Sequence, residues 1–92
     1  MEELYEIVSL RAKCKDKNSY TKKLIKRGPK KIAQKISEES IELIIDYING
    51  SKQRVVEETA DLIYHMIVLL YSKKITIKKI ENELKKRRKN VR

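Results

Sequence analysis

The stretch Lys35–Ile48, KISEESIELIIDYI, carries Glu38, Glu39, Glu42 and Asp46 on a run that otherwise reads as a helix with an apolar face. Downstream, Glu58 and Asp61 repeat the three-residue spacing of Glu39 and Glu42. Residues three apart on a helix are neighbours, so each pair stands on one side of its helix. Carboxylates held together repel, and such a cluster must take up protons, meet Lys or Arg, or bind a hard cation. Oxygen-only donors suit Mg2+, with Mn2+ as a substitute; both share their remaining positions with water and phosphate. Zinc fits poorly, because His65 is the only histidine and the single cysteine, Cys14, is remote. Spacing alone leaves a second reading open, in which the acids are a solvated face balancing 23 Lys and Arg.

Positioning these acids requires helices. Turn and cap residues predict a first short helix over Glu2–Lys13 and a second over Tyr20–Lys26, capped by Ser19. Gly28-Pro29 stops the second helix, and Pro29 opens a long third one that Asn49-Gly50 ends. Ser51 caps a fourth helix running to about Ser72, and Thr76 caps a last one, IKKIENELKKRR. The tight turn at 49–51 makes the two long helices an antiparallel hairpin. Glu39 and Asp61 each lie eleven residues from Gly50, so the two acidic pairs stand at similar heights and converge. At about 100° per residue, Ile32, Ile36, Ser40, Leu43 and Tyr47 share a face of the third helix, with Glu39 on its border and Glu38 pointing nearly away. On the fourth, Val56, Thr59, Ala60, Ile63, Met66, Ile67 and Leu70 cover one side, while Glu58, Asp61 and His65 form a separate stripe. A helix so widely apolar needs more than one packing partner. The expected fold is therefore all-α: an antiparallel helical hairpin with short flanking helices, dimerising into a helical bundle. One domain over residues 1–92 is expected, with 86–92 a basic, frayed tail.

Composition narrows the function classes. A chain of 92 residues with 39% charged residues, two Gly, one Pro and no Trp or Phe favours helix and has a thin core. A lone cysteine forms no internal disulfide, which matches a reducing, cytoplasmic setting. The longest apolar run, Met66–Tyr71, is far short of a bilayer span, and the acidic opening MEELYEI is unlike a secretory signal. A net charge of +10 attracts phosphate-bearing partners without saying which.

At the motif level, SEESIE followed by EETADLIYH resembles the E-E-x-x-E … E-x-x-D signature of the all-α nucleoside-triphosphate pyrophosphatases, the MazG-type superfamily. Within it, SYTKKLIKRGPKKIAQKISEESIELI and VVEETADLIYHMIVLL resemble the phosphoribosyl-ATP pyrophosphatase family, over about Leu4–Arg87. The resemblance implies Mg2+-dependent hydrolysis of the α–β phosphoanhydride of phosphoribosyl-ATP, giving phosphoribosyl-AMP and pyrophosphate in histidine biosynthesis. It implies a homodimer with active sites near the subunit interface, and metal ligands Glu39, Glu42, Glu58 and Asp61. Glu38, the first Glu of the motif, is implied to orient or deprotonate a water together with Glu39. Ser37 and Ser40 stand where relatives commonly carry Gly and Ala. The cyclohydrolase domain to which many relatives are fused has no counterpart in these residues, so the chain is expected to act alone on this step.

The basic and aromatic residues then gain candidate roles beside bland ones. Lys35 is placed to reach a metal-held phosphate or to pair with Glu39 four residues on. Lys22 and Lys23 follow Ser19-Tyr20 in a segment that resembles the family's substrate-side stretch, and Lys31 stands four residues before Lys35 as a further substrate-binding candidate. Arg11 either grips a phosphate or is a surface charge. His65 is either a hydrogen-bonded structural residue or a partner to Asp61 or the substrate. Tyr20 and Tyr64 either stack on adenine or belong to the core. Two other classes compete. A nucleic-acid-binding module would use KKLIKRGPKK and KKRRK, but the acids would put a negative patch in its footprint, so that partner is disfavoured. A purely structural helical dimer would leave Mg2+ without effect on stability.

Overall fold

The structure, a computed structural model, describes residues 1–89. Five helices follow one another: α1 Glu2–Lys13, α2 Tyr20–Arg27, α3 Pro29–Asn49, α4 Lys52–Ser72 and α5 Ile77–Lys89. Among the described residues there is no strand.

Each boundary has a local cause. The Ser19 hydroxyl accepts the Lys22 backbone N–H at 3.3 Å and starts α2. Gly28, at φ 96°, then turns the chain directly into α3, whose first residue Pro29 needs no N–H partner. At the far end the Gly50 N–H donates to the Asp46 carbonyl at 2.7 Å. A Cβ there would come within 2.9 Å of that carbonyl oxygen, so only glycine permits the approach. The Ser51 hydroxyl accepts from the Arg54 N–H at 3.2 Å and starts α4, and Thr76 does the same for α5 through Lys79.

One core joins all five elements: Val8 of α1, Leu24 of α2, Ile32 of α3, Ile67 and Val68 of α4, and Ile77 of α5. Fully burying an aliphatic side chain of this size contributes about 1.5–3 kcal/mol. The α3–α4 hairpin is the spine; α1 lies on α4, α2 on α3, and α5 touches α1.

The apolar sides are not wholly covered: Tyr47 and Val56 are 78% and 60% exposed, and Ala60 and Met66 also face out. On the stripe of α4 set apart from its apolar side, Glu58 and His65 are buried and Asp61 is exposed, while Ile67 of the apolar side is buried as well. Helix α4 is apolar on both sides, and α1, α2 and α3 all pack against it. Helix α5 also continues through Lys89, so residues 86–89 of the expected frayed tail are helical, with Arg87 paired to Glu83 at 3.2 Å. Residues 90–92 of that tail lie outside the described residues. Among the described residues no helix is long and apolar enough to cross a membrane.

Candidate active site

Three residue pairs straddle the hairpin symmetrically about Gly50: Asp46 and Arg54, Glu42 and Glu58, Glu39 and Asp61. Nearest the turn, the Arg54 guanidinium lies 3.6 Å from Asp46, 3.1 Å from Glu57 and 2.8 Å from Glu58. One turn further along, Glu58 is buried, with the Glu42 carboxyl close enough to raise its pKa. Glu58 Oε2 is buried without a hydrogen-bond partner. Burial pushes the Glu58 carboxyl above its ordinary pKa; Glu42 and Asp61 push it further, and Arg54 opposes them.

Next along the hairpin is a hydrogen-bonded chain. His65 Nδ1 lies 2.5 Å from Glu39 Oε1 and 3.0 Å from the Asp61 carbonyl. Its other nitrogen, Nε2, lies 2.6 Å from the Tyr20 hydroxyl. Burial holds the Tyr20 phenol protonated; Lys35 opposes, and Glu39, Tyr64 and Asp61 reinforce it. Both groups facing Nδ1, the Glu39 carboxylate and the Asp61 carbonyl, are acceptors, so Nδ1 carries a proton and donates to them, while Nε2 shares a hydrogen bond with the Tyr20 hydroxyl. Glu39, 8% exposed, is thus oriented by the His65 ring.

Two clefts flank Tyr20. The larger, about 550 Å3, is walled by Arg11, Ser19, Tyr20, Asp61, Tyr64 and His65. That volume falls within the about 300–1,000 Å3 of small-molecule sites. Arg11 Nη1 donates to the Tyr64 hydroxyl at 3.1 Å, and that hydroxyl is bonded to buried Thr21. On the other side of Tyr20, about 220 Å3 is enclosed by Lys23, Leu24, Arg27, Lys31 and Lys35.

The structure therefore brings together Glu39, His65, Tyr20 and Asp61, with Lys35 close enough to act on the Tyr20 hydroxyl. It brings Glu42 to Glu58. The Lys35–Glu39 pair does not form, because Glu39 is engaged by His65. Ser19 is occupied as a helix cap, its hydroxyl also 3.4 Å from the Arg11 carbonyl. Glu38 stands apart, exposed, accepting from the Gln34 amide at 3.2 Å. Sequence reading passed over Arg54, Thr21 and Arg27. Arg54 had a visible signal, since it mirrors Asp46 across Gly50; Thr21 had none, because its role depends on where the Tyr64 hydroxyl lands.

Among the described residues no three His, Cys, Asp or Glu side chains already enclose a point where an ion could sit. Like charges do not gather unaided: Arg54 draws Glu58 toward the turn, and His65 draws Glu39 inward. The residues nonetheless fit a hard divalent cation. An orphaned buried carboxylate oxygen, a neighbouring carboxylate and an all-oxygen donor set are what such an ion satisfies.

Comparison with known proteins adds a family. The family model described as phosphoribosyl-ATP pyrophosphohydrolase matches residues 1–88. A phosphoribosyl-ATP pyrophosphatase of Clostridium novyi is 42% identical over 91 residues, covering 99% of this chain and 83% of the relative. One from Sulfolobus acidocaldarius is 45% identical over 89 residues, covering 97% and 94%. The histidine biosynthesis bifunctional protein HisIE of Thermotoga maritima is 41% identical over 87 residues, which are 95% of this chain and 44% of that protein. With a match over nearly its whole length and these carboxylates in place, the chain belongs to the phosphoribosyl-ATP pyrophosphohydrolase family.

Proposed function

We propose that this chain hydrolyses phosphoribosyl-ATP to phosphoribosyl-AMP and pyrophosphate in histidine biosynthesis, as a Mg2+-dependent homodimer in the cytoplasm. The observation that carries the reading is Glu58: a buried carboxylate with an unpartnered oxygen, beside Glu42 and one turn from Asp61. Together with Glu39, these residues would hold Mg2+, or Mn2+ in its place. When bound, the ion would draw charge from the phosphate oxygens and make a water more acidic.

The chain's own residues do the rest. His65 is a positioning residue: its Nδ1 proton fixes the Glu39 carboxylate, and Tyr20 fixes the ring. Arg11, steadied by Tyr64, supplies a guanidinium at the mouth of the larger cleft for a phosphate oxygen. Tyr20 and Tyr64 line the larger cleft in which adenine would lie, with Arg11 over the Tyr64 ring and Ser19 capping α2 at the same cleft. Lys23, Lys31 and Lys35 supply uncompensated positive charge on the other side of Tyr20. Preorganised cations there stabilise the charge of a bound phosphate without reorganising. For Glu38 the outward placement argues against proton transfer at the scissile bond, and we assign it no direct role.

The exposed side of the hairpin supports the homodimer. Ile41, Ile44, Ile45 and Ile48 form an i, i+3, i+4, i+7 stripe on α3, each more than half exposed, with Val56 and Met66 exposed on α4. So large an apolar stripe is unusual on a monomer.

The test is pyrophosphate release by purified protein given phosphoribosyl-ATP, ATP or dUTP, with and without Mg2+. Release from phosphoribosyl-ATP well above the other two, and only with Mg2+, is the expected result. Preferential release from dUTP would assign the chain to another nucleotide.

A further inference from the structure

We propose that the cationic cleft between α2 and α3 receives the phosphomonoester of the phosphoribosyl group, and that Arg27 with Lys31 makes the site select phosphoribosyl-ATP over ATP. This rests on the reaction proposed above.

Local geometry builds the cleft. Lys23 and Arg27 are four apart on α2, and Lys31 and Lys35 four apart on α3, so each pair stands on one face of its helix. The positive φ of Gly28 reverses the chain between them, and the two rungs of charge border one concavity with Tyr20 and buried Leu24. Among the described residues none of the four cations makes an ion pair; the acids near the site are taken by Arg54 and His65. Lys31 and Lys35 are half-buried nonetheless. Four unneutralised charges bordering one cleft repel one another and lower the free energy of any anion that enters.

Size and placement choose the anion. About 220 Å3 admits a phosphate with part of a sugar, not a whole nucleotide. Phosphoribosyl-ATP is charged at two ends, the triphosphate and a phosphomonoester on the ribose attached to the base, and ATP lacks the second. With the triphosphate at the carboxylates and the base in the larger cleft, the second charged end passes Tyr20 into the cationic one. Lys31 is eight residues from Glu39, about 12 Å along α3. A pyrophosphate unit bonded at the scissile position does not span that distance; a phosphate carried beyond the base does. A site built on charge pairing strongly disfavours an analogue that lacks the partner.

The test uses the full chain. Arg27→Gln and Lys31→Gln should each raise KM for phosphoribosyl-ATP about tenfold or more, with kcat changed far less, and Arg27→Lys should fall between them and wild type. Ribose 5-phosphate should inhibit the wild type and bind it in calorimetry, and both should weaken about tenfold in the Gln variants while inhibition by inorganic pyrophosphate holds. An unchanged KM with unchanged ribose 5-phosphate binding would overturn the inference. So would a parallel loss of pyrophosphate inhibition, which would make the cleft the seat of the leaving group. If the wild type released no pyrophosphate, the reaction itself would fall, and ribose 5-phosphate calorimetry would still decide whether the cleft binds a sugar phosphate. Helical circular dichroism of each variant reports folding, and Arg27 is exposed enough for its replacement to leave the core untouched.

Discussion

Glu58 holds the account together at the residue scale, because Arg54 pairs with one of its oxygens and the other is buried without a partner. Its pKa is raised on folding, so its ionised form weakens the metal-free fold. Stability from such a group is complete below the unfolded value of 4.5 and is lost as pH rises through the raised folded value. Glu58→Gln should therefore melt higher than wild type near neutral pH without divalent ions, and that advantage should shrink as pH falls toward 4.5. The same variant should gain nothing from added Mg2+, whereas the wild type should be stabilised by it. Glu39→Gln should lower turnover about 100-fold or more while keeping helicity, whereas Glu38→Gln should keep it within about threefold; comparable losses in the two would show that the outward placement of Glu38 is misleading. The spacing of Glu39, Glu42, Glu58 and Asp61 was legible in the sequence as charge at a shared height. The bond from His65 to Glu39 was not, because the ring reaches across the hairpin at the height of Asp61, which spacing along one helix does not report.

Secondary-structure elements were the most readable level, since their ends are written in Ser19, Gly28-Pro29, Asn49-Gly50, Ser51 and Thr76. Gly28 shows how local chemistry sets the site: its φ of 96° with ψ of 177° lies where side chains are strained. Nothing lies within 4 Å of a Cβ placed there, so Gly28→Ala is opposed by the backbone alone. It should cost about 1–3 kcal/mol in denaturant unfolding and loosen the α2–α3 cleft. A variant as stable as wild type would show that the turn relaxes freely. How α4 is covered was not legible, because periodicity reports how apolar each side is and α4 is apolar on two. What decides it is the packing of α1, α2 and α3 against it, a tertiary fact.

For the whole molecule the exposed isoleucine stripe of α3 is the dominant feature. Ile45→Glu should convert a species of twice the 10.9 kDa chain mass in light scattering to a monomer, with activity lost alongside; a monomeric wild type would remove the dimer from the account. The +10 charge, which composition alone could not assign to a partner, should confer only salt-sensitive DNA affinity, whereas Mg2+-dependent nucleotide binding should persist as salt rises. The measurement that bears most directly on the central claim is product analysis on phosphoribosyl-ATP with Mg2+, wild type beside Asp61→Asn. Phosphoribosyl-AMP and pyrophosphate in equal amounts from the wild type, and neither from Asp61→Asn, is the predicted result. Orthophosphate in place of pyrophosphate, or near-normal turnover by Asp61→Asn, would contradict it.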